Sequence, residues 1–174
     1  MTNNGYISLV EDVIKKHPDY KAFSDYQGDD FTFRKVGKSI YFLHQFFHEA
    51  GIKKGDKVAM IGRNMSNWAL TYLGVITYGA VVVPILPDFH SNDIHHIVNH
   101  SESILLFSTE LMFDKIDETQ IPHIKGIVSI NGFTPIVDHH EKLKKALDKA
   151  HQKTEASGKE FDVNRLKFPE IGAE

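Results

Sequence analysis

Apolar residues at Val36, Ile40, Leu43, Phe47 and Ala50 recur three and four apart, the spacing that lays one stripe along an α-helix. Thr32 precedes the stripe as an N-cap and Gly51 follows it, so the chain predicts an amphipathic helix between them. Upstream, residues 8–16 predict a short helix stopped ahead of Pro18. Between the two helices, residues 22–24 and 31–33 predict short strands of a hairpin that turns through Gln27, Gly28, Asp29 and Asp30.

Beyond a polar turn at Lys53, Lys54, Gly55 and Asp56, the pattern alternates between two periods. Residues 57–61 are an apolar run fitting a central strand, and residues 64–78 predict a helix that ends at Gly79. Residues 81–85 are rich in β-branched side chains and predict a strand buried on both faces. Ser91 opens a helix that turns Ile94, Ile97 and Val98 inward. A strand at 104–107, a short helix at 111–116 and a strand at 127–130 follow, the last closed by Asn131 and Gly132. Such alternation implies parallel strands joined by right-handed helical crossovers. The predicted fold is therefore α/β: a Rossmann-like three-layer parallel sheet with helices on both faces, plus a short antiparallel hairpin near the amino end. From 141 to 160 the chain turns polar, and Leu143, Ala146, Leu147 and Ala150 leave only a thin stripe, which predicts a peripheral surface helix. Residues 161–174 carry no cap, period or ending signal.

Composition narrows the class. The 174 residues, 41% apolar and 25% charged, have the proportions of one ordinary globular domain that buries a core without staples. A net charge of -3 and the lack of a basic block argue against nucleic-acid binding. Zero cysteines remove thiol nucleophiles, thiolate zinc sites and disulfides, and fit a reducing compartment such as the cytoplasm. The amino end lacks a signal-peptide core. Residues 68–87 carry no charge and approach a bilayer span in length, but Gly74, Gly79 and Pro84 interrupt them and flanking Lys or Arg anchors are missing. The expectation is a buried helix and strand, with no transmembrane segment.

The common site motifs are absent: no G-x-G-x-x-G, no phosphate loop ending in Gly-Lys-Ser/Thr, no G-x-S-x-G elbow. No catalytic residue is assigned. Of eleven histidines, His96 and His100 lie four apart, so one helical face could offer both to a metal. With no Glu in H-E-x-x-H register, they read as solvated helix residues and no metal ligand is assigned. His139 and His140 read as a helix-start surface pair. Asp56 reads as a turn residue bonding local backbone. Arg63 and Asn64 follow a predicted strand at the edge where open α/β sheets bind ligands, although a cap role explains Asn64. Trp68 reads as a core or seam residue. The loop Leu86, Pro87, Asp88, Phe89, His90 occupies the same kind of strand end and is the best intrinsic candidate for small-molecule contact.

Taken together and in order, residues 32–40, residues 50–60 with their Gly55-Asp56 turn, residues 64–70, the Gly79-Ala80-Val81-Val82-Val83-Pro84 stretch and residues 94–106 resemble the amino-terminal part of adenylate-forming acyl-CoA synthetases. The likeness is collinear from about residue 18 to 130, and the spacing from Asn64 to Trp68 looks most like the long-chain fatty acid:CoA ligases. Lys35 stands where that family often places the Glu of a capping box, so the reciprocal helix-start bond is not expected here. The resemblance implies that a fatty carboxylate attacks ATP to give an acyl-adenylate and pyrophosphate, and that coenzyme A then displaces AMP to form a thioester. It implies ATP, Mg2+ and coenzyme A as cofactors of the parent enzyme, a cytoplasmic location, and peripheral membrane docking as a further option for the intact enzyme. Residues 141–174 would lead toward a phosphate-loop region outside the sequence, so the chain itself is expected to be inactive, to bind none of these cofactors tightly and to self-associate through exposed apolar surface. By the same resemblance, Leu86, Pro87 and Asp88 match a loop near bound coenzyme A in acetate-activating members, which carry a Gly-Gly pair where Pro87 and Asp88 stand. Two other readings stay open: a stand-alone, non-catalytic binding or interaction module, and part of an adenylating enzyme for amino or aryl acids.

Overall fold

The computed structural model describes residues 5–139, 141–156 and 160–168. In chain order they form α1 (Tyr6–Lys16), β1 (Lys21–Ser24), β2 (Asp30–Thr32), α2 (Phe33–Glu49), β3 (Lys57–Ile61), α3 (Ser66–Tyr78) and β4 (Val81–Ile85). Then come α4 (Ser91–His100), β5 (Leu105–Ser108), α5 (Glu110–Phe113), β6 (Gly126–Ser129), β7 (Pro135–Asp138) and α6 (Lys142–Glu155).

Strands β1 and β2 make a separate antiparallel hairpin, and the other five form one sheet in the order β4-β3-β5-β6-β7. The β3–β4, β3–β5 and β5–β6 pairs are parallel, as the alternation predicts. Strand β3 shows how two faces are filled from one segment. Val58 and Met60 face a core built with Phe42, Leu43, Phe46 and Phe47 of α2, Val75 of α3, and Leu143, Ala146, Leu147 and Ala150 of α6. Ala59 and Ile61, the alternate residues, face Ile94 and Val98 of α4 and Met112 of α5. Helices therefore cover both faces. The sheet with its flanking helices is the three-layer α/β arrangement expected from sequence.

Local signals account for the helix ends. The Thr32 hydroxyl accepts a hydrogen bond from the Lys35 amide at 3.3 Å, capping α2. Lys35 returns no bond to the Thr32 backbone and instead donates from Nζ to the Asp30 carbonyl at 3.0 Å. Gly79 ends α3 in the left-handed region at φ 88°, where a side chain would be strained.

Several expectations are corrected. Strand β4 is an edge strand, not one buried on both faces: Val81 is 47% exposed and Pro84 is exposed too. The Val81 amide donates inward to the Asp56 carbonyl, so alternation turns position 84 outward, where proline's missing N–H costs no ladder bond. Strand β7 was not foreseen. It pairs antiparallel with β6 and approaches so closely that a Cβ at Gly126 would collide with the Val137 carbonyl. In α6 the thin stripe packs against the sheet and α2 while most of its other residues are exposed, as a surface helix does. The signal-poor stretch 160–168 is packed as well. Phe161, Val163 and Leu166 join Ile14 of α1, Val36 and Ile40 of α2 and Leu70 of α3 in a third cluster. Arg34 holds that stretch by donating to the Phe161 carbonyl at 3.1 Å, and Arg165 donates to the Tyr41 hydroxyl at 2.7 Å.

Candidate functional site

Chain path defines where a ligand edge would lie. From β3 the chain crosses through α3 on one face to β4; it returns through α4 on the other face to β5 and continues through α5 to β6. The connections leaving β3 and β5 thus diverge, the topology at whose strand carboxyl ends open α/β sheets bind ligands. Gly62 lies at the β3 end of this edge, closely packed: a Cβ there would stand 3.2 Å from side-chain carbons of both Thr109 and Ile130. Arg63 and Asn64 follow and are exposed, as the strand-end reading expects.

Asn64 is not the helix cap. Met65 occupies the cap position without a side-chain bond, and the Ser66 amide donates instead to Asp25 Oδ1 at 2.7 Å. Asp25 comes from the distant hairpin turn, so no pattern around residue 64 could have shown it. Asn67 Nδ2 likewise donates to the Asn131 carbonyl at 2.9 Å, tying α3 to the turn after β6. Trp68 is half-buried on the core and stacks on Tyr72 with ring centroids 5.6 Å apart.

On the β5–β6 side, Thr109 caps α5 and Glu110 gathers a polar cluster that the sequence did not reveal. Ser129 donates to Glu110 Oε1 at 2.6 Å and Asn131 Nδ2 donates to Oε2. The Asn131 amide donates to Ser129 Oγ at 3.1 Å. The Ser129 hydrogen bond, above all, pulls the Glu110 carboxyl below its ordinary range. Although the pair has the residue types of a nucleophile and a base, Ser129 is 1% exposed and a carboxylate so stabilised is a poor proton acceptor. The cluster braces the edge.

The loop after β4 places Leu86, Pro87 and Asp88 at the same edge. Leu86 is 62% exposed, Asp88 is exposed and Pro87 is half-buried. Lys115 Nζ donates to the Pro87 carbonyl at 2.8 Å, which fixes the loop against the segment after α5. The Phe89 amide is turned back onto the Leu86 carbonyl at 3.2 Å, so it is not presented to a ligand.

The remaining candidates lie elsewhere. Asp56 accepts from the Lys53 amide at 2.7 Å, the local turn role expected of it. His96 and His100 sit exposed on α4, whereas His95 is buried and its Nε2 accepts from the Asp117 amide at 2.9 Å. His139 is exposed and shares a cavity wall with Glu118 and His123; His140 lies outside the described residues. Among the described residues no three His, Asp or Glu side chains converge as metal ligands. No helix among them is long and apolar enough to cross a membrane.

Comparison with known proteins decides the family. The model of the AMP-binding enzyme family matches residues 10–167. The chain belongs to the AMP-binding enzyme family. It is 26% identical over 123 residues to a long-chain-fatty-acid–CoA ligase of Escherichia coli O6:H1, covering 68% of this chain and 22% of that protein. Against the Bacillus subtilis (strain 168) long-chain-fatty-acid–CoA ligase the identity is 26% over 115 residues, with 66% and 20% covered. Surfactin synthase subunit 2 of the same organism is 28% identical over 102 residues, 59% of this chain and 3% of that protein. The chain thus spans about a fifth of the length of the curated ligases it matches. Among solved structures, an anthranilate CoA ligase in complex with anthranoyl-AMP superposes with TM-score 0.70 at 16% identity, covering 82% of this chain and 27% of the other. A long-chain-fatty-acid-CoA ligase from Archaeoglobus fulgidus gives 0.66 at 17%, covering 82% and 29%. At these identities the structural likeness establishes the fold of this AMP-binding family member.

Proposed function

We propose that residues 1–174 are the amino-terminal scaffold of an AMP-forming acid–thiol ligase whose substrate is a fatty acid. In the reaction, the carboxylate oxygen bonds to the α-phosphorus of ATP as the α–β phosphoanhydride breaks and pyrophosphate leaves. The coenzyme A thiolate then attacks the acyl carbon, and AMP leaves as the thioester forms. The observation that carries the reading is the family match from residue 10 to 167, with fatty acid ligases among the relatives that align over two thirds of this chain. Within that reading, Leu86, Pro87 and Asp88 lie beside coenzyme A, supported by the exposure of Leu86 and Asp88 at the carboxyl edge of the sheet. The paired state of Glu110, Ser129, Asn131 and Lys115 supports a chain that positions such an edge without catalysing on its own. Exposed Val81, Leu86 and Leu111 support self-association of the isolated chain. A cytoplasmic location belongs to the same reading.

ATP–pyrophosphate exchange tests the proposal. The 174-residue chain should give none with a fatty acid, and fatty-acid-dependent exchange above buffer would refute its inactivity. The longest product of the reading frame that contains these residues should form AMP and acyl-CoA from a fatty acid. Surfactin synthase among the relatives favours one competing reading, adenylation of an amino acid. Exchange by that longer product with amino or aryl acids, and not with fatty acids, would replace the fatty acid reading.

A further inference from the structure

We propose that His96 and His100 form a two-imidazole surface site for a divalent transition-metal ion of the Ni2+, Cu2+ or Zn2+ class. Both residues lie on the last turns of α4, four apart, and both are exposed. Their rings stand parallel, with centroids 5.6 Å apart and planes 12° from coincidence. One turn of helix thus brings two imidazoles onto the same outward face, the arrangement by which paired helix histidines chelate a metal.

Unlike those of His95 and His44, the ring nitrogens of this pair make no hydrogen bond among the described residues. His95 spends Nε2 on the Asp117 amide, and His44 shares a 2.9 Å bond between its Nε2 and the Thr77 hydroxyl. Among the described residues, the interaction recorded for His96 and His100 is their mutual stacking. Neutral imidazole is a borderline ligand that suits Ni2+, Cu2+ and Zn2+ and discriminates against the oxygen-seeking Mg2+. Asp93 is exposed one turn earlier at the spacing that places it on the same side, adding negative charge near the site. No third His, Asp or Glu joins as a ligand among the described residues, so water completes the coordination shell. The site faces away from the sheet, on the helix that carries the chain from the Leu86–Asp88 loop to β5, and bound metal would staple the end of that helix.

Calorimetric titration of the 174-residue chain with NiCl2 and with ZnCl2 at neutral pH, with MgCl2 as control, tests the assignment. One ion per chain is expected, reversible by chelator, with Mg2+ silent. Either His96→Gln or His100→Gln should weaken binding by about tenfold or more, because each removes one arm of the chelate. Both positions are exposed, and circular dichroism melting without metal should match the parent. In a paramagnetic Ni2+ titration, imidazole proton signals of His96 and His100 should broaden first. Binding that persists in the double variant, binding abolished by His123→Gln, or no binding at all would overturn the proposal.

Discussion

Gly74 sits where α3 crosses α2, and replacing it with alanine sets two effects of opposite sign against each other. As a helical residue, Gly74 costs about 1 kcal/mol relative to alanine, so propensity alone predicts that Gly74→Ala stabilises the fold by that amount. Packing predicts the reverse. A Cβ built at Gly74 collides with Leu43 Cδ1 and comes within 3.0 Å of Leu43 Cβ. The methyl could swing aside, but the Cβ moves only with the backbone of α2. Leu43 has no exposed surface, so no free space receives the displaced side chain. Overpacking of this kind costs about 1–3 kcal/mol. The balance is a loss of about 1 kcal/mol, with about 2 kcal/mol at the upper end.

Chemical denaturation of Gly74→Ala, Leu43→Ala and the double variant measures each term. The single glycine variant should unfold earlier, with the thermal midpoint down by roughly 2–8 °C. Leu43→Ala alone should cost about 2–5 kcal/mol through the cavity it leaves. In the double variant the new methyl enters that cavity, so its cost should fall below the sum of the singles by about 1 kcal/mol or more. A stabilised Gly74→Ala chain, or strict additivity in the double variant, would refute the steric account.

Three further outcomes follow from other contacts. Burial depresses the His44 pKa to about 4, so the folded state holds the ring neutral while the unfolded chain protonates near 6.5. Stability is therefore full above pH 6.5 and falls as pH drops toward 4, by up to about 3 kcal/mol, and a parent-minus-His44→Gln difference that stays flat across this window would exclude the effect. Phe161→Ala should cost about 3–5 kcal/mol in urea unfolding, because its ring is 3% exposed and seated against Tyr41; a loss below about 1 kcal/mol would show that residues 160–168 are not part of the core. Asp25→Ala should cost about 1 kcal/mol and speed amide exchange at Ser66, and unchanged exchange there would mean that Asp25 does not cap α3.

What was legible in the sequence follows the range over which each signal acts. The stripe of α2, its Thr32 cap and the Gly79 stop are set by residues within a turn or two, and all three stand in the structure. Alternation between helix and strand periods was enough to require parallel crossovers, hence the sheet and its two helical layers. Burial on both faces of β4 failed because β-branched composition reports strand preference and says nothing of how many neighbours the strand has. β7 and the packed 160–168 stretch failed for a related reason. Four residues after a turn, or three apolar residues around a single 3-10 turn, carry no period, and only contact with β6, α1 and α2 gives them a place.

The candidate edge divides along the same line. Its location was readable, since carboxyl ends of parallel strands follow from element order, and Arg63, Asn64 and Leu86–Asp88 lie there. Its chemistry was not, because each decisive bond joins residues far apart in the chain: Asp25 to Ser66, Asn67 to Asn131, Glu110 to Ser129, Lys115 to Pro87. Those bonds consume polar groups that would otherwise be offered to a ligand. The buried Ser129 and the carboxylate of Glu110 are joined by one of these bonds and brace the edge. Groups facing solvent at this edge include the Arg63 cation, the Asn64 amide, the apolar Leu86 and the Asp88 carboxylate, which can recognise or position a ligand. In the proposed ligase, the edge therefore contributes orientation.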